Sequence, residues 1–195
     1  MQRLLHGTSV LRTRRCRASY GILCDKIYDK VKHEAGRSYK NPADDKKYVE
    51  GHIQWFIKKG DVISEDAHIR LELSRIASFG NQETAWEDAI VTSNIHRDCL
   101  PQYSNQGDAR RVCKILSKAD PDALATRRKY WFGKKFLYVK YGILAFVGQD
   151  NIRFETEVNG EKVGEGQTAQ VPWEYIGDEL AASNDVEEGV LRGDI

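Results

Sequence analysis

His96, Arg97 and Asp98 spell the catalytic-loop tripeptide of protein kinases. That loop also needs a metal-holding Asn where Tyr103 stands here, and no glycine-rich loop precedes it. The same His96, with Cys99 and the more distant Cys113, is the nearest approach to a zinc set. Structural zinc takes tetrahedral ligands in closely spaced pairs, and only one such pair is present. His33, His52 and His68 share no HExxH-type spacing. His52 lies one helical turn from Val49 and Phe56, which suits packing better than ligation.

No G-x-S-x-G elbow, Walker A loop or GxGxxG is present, and Gly164-Glu165-Gly166 lacks the third glycine. Arg192-Gly193-Asp194 matches an adhesion tripeptide only by spelling. The chain therefore reads as non-enzymatic, with no catalytic residue, cofactor or metal expected.

The most distinctive chemistry is the basic, aromatic stretch 127–141. Arg127, Arg128, Lys129, Tyr130, Trp131, Phe132, Lys134, Lys135 and Tyr138 are its candidate interaction residues, with Trp173 added from further along. Interleaved cations and rings suit phosphate contact and base stacking on RNA. They equally suit anionic lipid headgroups, with rings in the headgroup layer. They also suit burial against neighbouring protein subunits.

The first twenty residues contain Arg3, Arg12, Arg14, Arg15 and Arg17 and no acid. Amphipathic, Arg-rich and acid-free composition is that of a mitochondrial targeting segment; a basic arm is the alternative. The 195 residues suit one domain with extensions, and 41 % hydrophobic content makes a modest core. Net charge is +1, so nothing pulls the whole chain toward nucleic acid. Charge is nevertheless polarised, with a basic start and an acidic end at 177–195. Cys16, Cys24, Cys99 and Cys113 form no CxxC pair, which reads as reduced thiols. The stretch 130–148 has a bilayer's length but is interrupted by Lys134, Lys135 and Lys140, so no transmembrane helix is expected.

Periodicity predicts an α+β chain with a mainly helical body of about five helices over 21–132. Ile22, Ile27 and Val31 suggest a short first helix. Asn41 as N-cap, Pro42 after it, and Val49, Ile53, Phe56 and Ile57 on one face predict the clearest one. Ser64 caps the next, carrying Ile69, Leu73 and Ile76, so 41–79 is expected as an antiparallel helical hairpin. Asn81, Asp108 and Asp120-Pro121 would start three more. A small β-rich appendage follows at 133–176. Ile152, Phe154, Thr156 and Val158 alternate with polar residues, Asn159-Gly160 is a favoured hairpin turn, and 136–147 offers a further strand. Extended terminal arms, 1–20 and 177–195, complete the expectation.

Val147-Gly148-Gln149-Asp150, then Arg153-Phe154-Glu155, then Val171-Pro172-Trp173-Glu174-Tyr175 form two patches. These resemble a small accessory-subunit and assembly-factor family of mitochondrial respiratory complex I. The Gly-Asn that follows the Asp in that family is missing, Tyr175 replaces its final Trp, and the gap between patches is short. The resemblance implies structural roles for these residues and no active site. With the leader, it leads to an expected non-catalytic accessory subunit of a mitochondrial multi-subunit complex. The respiratory chain is favoured, on the matrix side and peripheral to the inner membrane. The alternatives are a mitochondrial ribosomal or RNA-binding protein using 127–141, an ATP synthase accessory subunit, and a small matrix enzyme.

Overall fold

A computed structural model describes residues 13–33, 35–64, 68–79, 84–128, 131–148, 150–170 and 173–175. The chain is antiparallel β throughout this range. Its strands are β1 (Thr13–Cys16), β2 (Ser19–Ile27), β3 (Ser38–Lys40), β4 (Lys47–Ile57), β5 (Val62–Ser64), β6 (His68–Ser78) and β7 (Ala85–Ser93). They continue as β8 (Arg110–Lys118), β9 (Ala125–Arg128), β10 (Lys135–Val147), β11 (Asn151–Val158), β12 (Glu161–Gln170) and β13 (Trp173–Tyr175). The expected α+β fold with a helical body is thus corrected: the described residues hold no α-helix, only two short 3₁₀ turns.

Each predicted helix fails for a local reason. Val49, Ile53 and Ile57 are spaced by four, an even number that also fits an unbroken strand, so the spacing does not decide between helix and strand. β4 buries all three, but its register on β2 shifts twice, and Ile57 reaches the core between the sheets while Ile53 lies against Gly21 on the other face. Ile69 and Leu73 likewise flank Leu71 in a period-two alternation along β6, where Leu71 is the buried member. These runs are rich in β-branched residues, which suit a pleated surface. Asn41-Pro42 does start a turn, with the Asn41 side chain accepting from the Ala43 N–H and the Asp45 N–H reaching the Asn41 carbonyl. Asp45 then adopts φ +59°, which ends the turn after one cycle. Asp120-Pro121 similarly makes only a capped 3₁₀ turn, Pro121–Ala123. Asp108 accepts from Ser93 Oγ and the Asn94 N–H and starts no helix. Asn81 lies outside the described residues.

The expected hairpin and the further strand are present, but they belong to one of the two main sheets and not to an appendage. β11 and β12 form the hairpin, with Asn159 at φ 53° and Gly160 at φ 87° as a two-residue turn of this hand requires. The 136–147 segment is β10, the longest strand, so 130–148 is not a helical span.

Three sheets share one core. One runs β3-β4-β2-β7-β8, another β12-β11-β10-β6 with β9 also on β10, and the third β13-β1-β5. The first two face each other. Between them Ile22, Ile57, Ile90, Ile115, Ile143, Ile152 and Phe154 are essentially solvent-free. Phe154 meets Phe56 edge to face. Truncating a ring so buried costs about 3–5 kcal/mol.

On one side the sheets close, because β12 lies along β8. A Cβ on Gly164 would fall against the Leu116 carbonyl oxygen and 3.0 Å from Ser117 Cα. Beside this contact, Ser117 Oγ donates to Thr156 Oγ1 at 2.7 Å, fully buried. On the other side β4 and β6 have no ladder between them. There β5, which links them in sequence, pairs with β1, and β1 pairs with β13, covering one end of the seam.

The first twenty residues therefore contribute to the fold. Cys16, Ala18, Ser19 and Tyr20 are buried, and β1 carries Arg14 and Arg15 in register with Ile63 and Val62. Residues 1–12 and 176–195 lie outside the described residues. Any processing that leaves the fold intact must fall before Thr13. Compared with a chain that begins at Thr13, one that begins at Gly21 lacks the buried Cys16 and Tyr20, and its Tm should be lower by on the order of 10 °C or more. Equal Tm values for the two truncations, read by circular dichroism, would contradict the placement of β1.

Candidate functional site

Where the seam is uncovered, the two sheets splay around a cleft of about 1270 Å³. One wall is the edge of the first sheet, from β2, β3 and the first half of β4. The other is the second half of β6 with the start of β10. These halves adjoin because β6 and β10 are antiparallel, with Ile76 opposite Tyr138 and Leu73 opposite Tyr141.

Asp88 lies at the floor and is 4 % exposed. It sits on β7 in the alternation Trp86, Asp88, Ile90, which points between the sheets. Tyr141 Oη donates to its Oδ1 at 2.9 Å, and Trp86 Nε1 donates to its Oδ2 at 2.9 Å. The Arg75 guanidinium approaches Oδ1 at 3.4 Å and also reaches the Glu87 carbonyl. Tyr141 and Arg75 belong to the opposite sheet, so Asp88 ties the sheets together at the boundary between core and cleft. Trp86 and Tyr141 also pack edge on, with centroids 5.1 Å apart. Burial raises the Asp88 pKa, a push that outweighs Arg75 and the two hydrogen bonds, which lower it.

Tyr39, Tyr48 and Tyr138 line the cleft above this floor. Tyr39 donates to Asp25, and Tyr48 to Asp44. Arg127 stacks on Tyr138 at 4.2 Å. Basic side chains outnumber acidic ones along the walls, and the acids are largely engaged: Asp25 with Tyr39, Glu72 with Arg70, Asp88 with Arg75. Lys26 and Lys140, one on each sheet, have no ion pair among the described residues. Asp88 already accepts from three donors, and no histidine lines the cleft. Burial lifts the one cleft thiol, Cys24, to about 11, far from a reactive thiolate.

The sequence-predicted residues fall in three places. Arg127, Arg128, Trp131, Phe132, Lys134, Lys135 and Tyr138 come together on the β9–β10 hairpin. Lys129 and Tyr130 lie outside the described residues. Trp173 is on β13 opposite Cys16, in a different sheet. The zinc candidates do not assemble. His96 and Cys99 are exposed, Cys113 is on β8, and no group of three metal-ligating side chains occurs among the described residues. His96 instead faces Asp98, and Arg97 pairs with Asp61. His52 does act as a packing residue, edge on to Tyr103 and His33, and burial lowers its pKa to about 4. No helix among the described residues is long and apolar enough to cross a membrane, which says nothing of strands.

Asp88, Arg75, Trp86 and Tyr141 were missed by sequence reasoning. The available signal was a carboxylate inside an apolar period-two run at 86–90, which the expectation of a helix starting at Asn81 obscured.

Fold and cleft together define an open two-sheet β protein whose polar site lies between its sheets. Residues 14–175 match the model of a family described as a domain of unknown function, DUF8568, and the chain belongs to that family. No curated protein and no solved structure matches the chain.

The raised Asp88 pKa has a sign that can be checked. The folded state holds the Asp88 proton more tightly than the unfolded chain does. That stabilisation is present at acid pH and is lost as pH rises above about 4, the ordinary carboxylate value. Asp88→Asn removes the ionisation and keeps the shape. Its Tm relative to wild type should climb as pH is raised from about 4 to about 7. A relative Tm that falls over that range would show that ionised Asp88 is net favourable.

Proposed function

We propose that this protein is a non-catalytic binding module that holds a small organic anion in the cleft between its sheets. The observation that carries this reading is the cationic surplus of a large open cleft. Pockets of about 300–1,000 Å³ hold drug-sized molecules, and this cleft exceeds that range while remaining open. Three of its four acids, Asp25, Glu72 and Asp88, are engaged within the protein, whereas Lys26 and Lys140 line it from the two sheets without an ion pair among the described residues. Tyrosine rings supply flat apolar contact with polar tips, and Leu23, Leu73 and Ile76 supply the rest of the apolar lining. A carboxylate or phosphate on a ring or chain fits this combination.

Two supports make the site preorganised. The Asp88 cluster fixes the floor, and the Tyr39–Asp25 and Tyr48–Asp44 hydrogen bonds fix two rings of one wall. Fixed side chains lose less freedom on binding, which raises affinity for a given contact area.

Paired fluorescent probes test the charge argument. 8-Anilinonaphthalene-1-sulfonate carries an anion, and N-phenyl-1-naphthylamine is its neutral parent. The anionic probe should bind the wild type saturably and more tightly than the neutral one. Lys26→Ala/Lys140→Ala should weaken it roughly tenfold, a modest loss for two charged contacts, and leave the neutral probe unaffected. Equal binding of both probes, or an unchanged anionic probe in the variant, would overturn the proposal.

A further inference from the structure

Trp131 and Phe132 are 85 % and 93 % exposed, which makes them the barest large rings among the described residues. They sit at the turn of the β9–β10 hairpin, beyond its last paired rung, Arg128 opposite Lys135. Water-facing rings cost nothing when scattered, but two adjacent ones at a projecting tip form a single apolar point. The Arg128 guanidinium donates to the Trp131 carbonyl at 3.2 Å, which ties Trp131 to the end of β9.

Cations surround this point, set back from it. Arg128 and Lys135 close the hairpin, and Arg127 and Lys134 stand beside them. The Lys135 ammonium lies 5.1 Å over the ring of Phe79, which is itself 52 % exposed at the end of β6. Between Asp122 and Asp150 the sequence contains no acid at all, although the whole chain is nearly neutral. The positive charge is therefore concentrated on the hairpin that carries the bare rings.

We propose that the β9–β10 tip docks on an anionic lipid bilayer, with Trp131 and Phe132 in the headgroup–acyl boundary and Arg127, Arg128, Lys134 and Lys135 at phosphate level. The order of the two layers is the argument. Rings ahead and cations behind match the depth profile of a bilayer, where the apolar phase lies beneath the phosphates. Single-stranded nucleic acid asks for a different arrangement, with rings flush in a cationic groove that tracks the backbone. Of these tip residues only Arg127 also lines the cleft, so variants at Trp131, Phe132, Arg128 and Lys134 test the tip and leave the cleft lining unchanged.

Flotation of the full chain with lipid vesicles tests it. Vesicles of phosphatidylcholine with phosphatidylserine should capture the protein at low salt, and pure phosphatidylcholine should not. Trp131→Ala/Phe132→Ala should reduce capture at least tenfold, and Arg128→Ala/Lys134→Ala should reduce it and flatten its salt dependence. Both variants alter exposed side chains, so matching Tm values exclude unfolding as the cause. Lys26→Ala/Lys140→Ala should be captured like the wild type. Brominated lipid should quench tryptophan emission in the wild type and much less in the tip variant. Absence of capture, or capture unchanged by Trp131→Ala/Phe132→Ala, would overturn the proposal. Retention on single-stranded RNA, lost in the same variant, with no vesicle binding would assign the tip to nucleic acid instead.

Discussion

The close approach of β12 to β8 sets the shape of everything else. Two twisted sheets facing each other can touch along one side and diverge along the other. Here Gly164 removes the side chain that would hold β12 off the Leu116 carbonyl, and the Ser117–Thr156 hydrogen bond satisfies the polar groups this contact buries. With that side shut, the isoleucines and Phe154 between the sheets lose water completely. The opposite side is left without a ladder between β4 and β6. Covering one end of it takes the small sheet β13-β1-β5, drawn from both ends of the described chain and from the β4–β6 link. The uncovered remainder is the cleft.

Asp88 stands where this closed core gives way to the open site. A carboxylate so deeply buried is costly unless its oxygens are satisfied. Tyr141, Trp86 and Arg75 satisfy them, two of the three from the opposite sheet. The cluster is therefore a cross-sheet tie and a fixed floor at once. It explains why the cleft can be large without the sheets separating.

Sequence reasoning reached the parts whose signals are local. Asn159-Gly160 demands positive φ at both residues and so announced the β11–β12 turn. The run from Arg127 to Tyr138 was recognisable as one basic, aromatic segment because its residues are consecutive, and a hairpin keeps consecutive residues together. The helical body was misread because spacings of four fit both periods. The spacing of Val49, Ile53 and Ile57 suits a helix or a regular strand alike, and the decision lay with the β-branched and aromatic content of 47–57 and with Asp45, whose left-handed backbone stops the turn begun at Asn41. The cleft was not legible at all. It joins Lys26, Arg75, Asp88 and Lys140 from four strands, and only the pairing of the sheets brings them to one place. The leader illustrates both sides: its basic composition was plain, but the burial of Cys16 and Tyr20 depends on β5 and β7 partners far along the chain.

The central claim is that β8 and β12 are pressed together and that this contact holds the sheets on one core. Two glycines isolate it. Gly160 and Gly164 both have positive φ, at 87° and 74°, but a Cβ on Gly160 meets nothing within 4 Å, whereas one on Gly164 meets the β8 backbone. Chemical denaturation of Gly160→Ala and Gly164→Ala therefore compares backbone strain alone with strain plus displacement of β8. Gly160→Ala should lose about 1–2 kcal/mol from its left-handed backbone. Gly164→Ala should lose clearly more, because no flexible side chain can move aside. Equal losses would contradict the account, since they would mean that β12 does not bear on β8 and that the sheets are held together elsewhere.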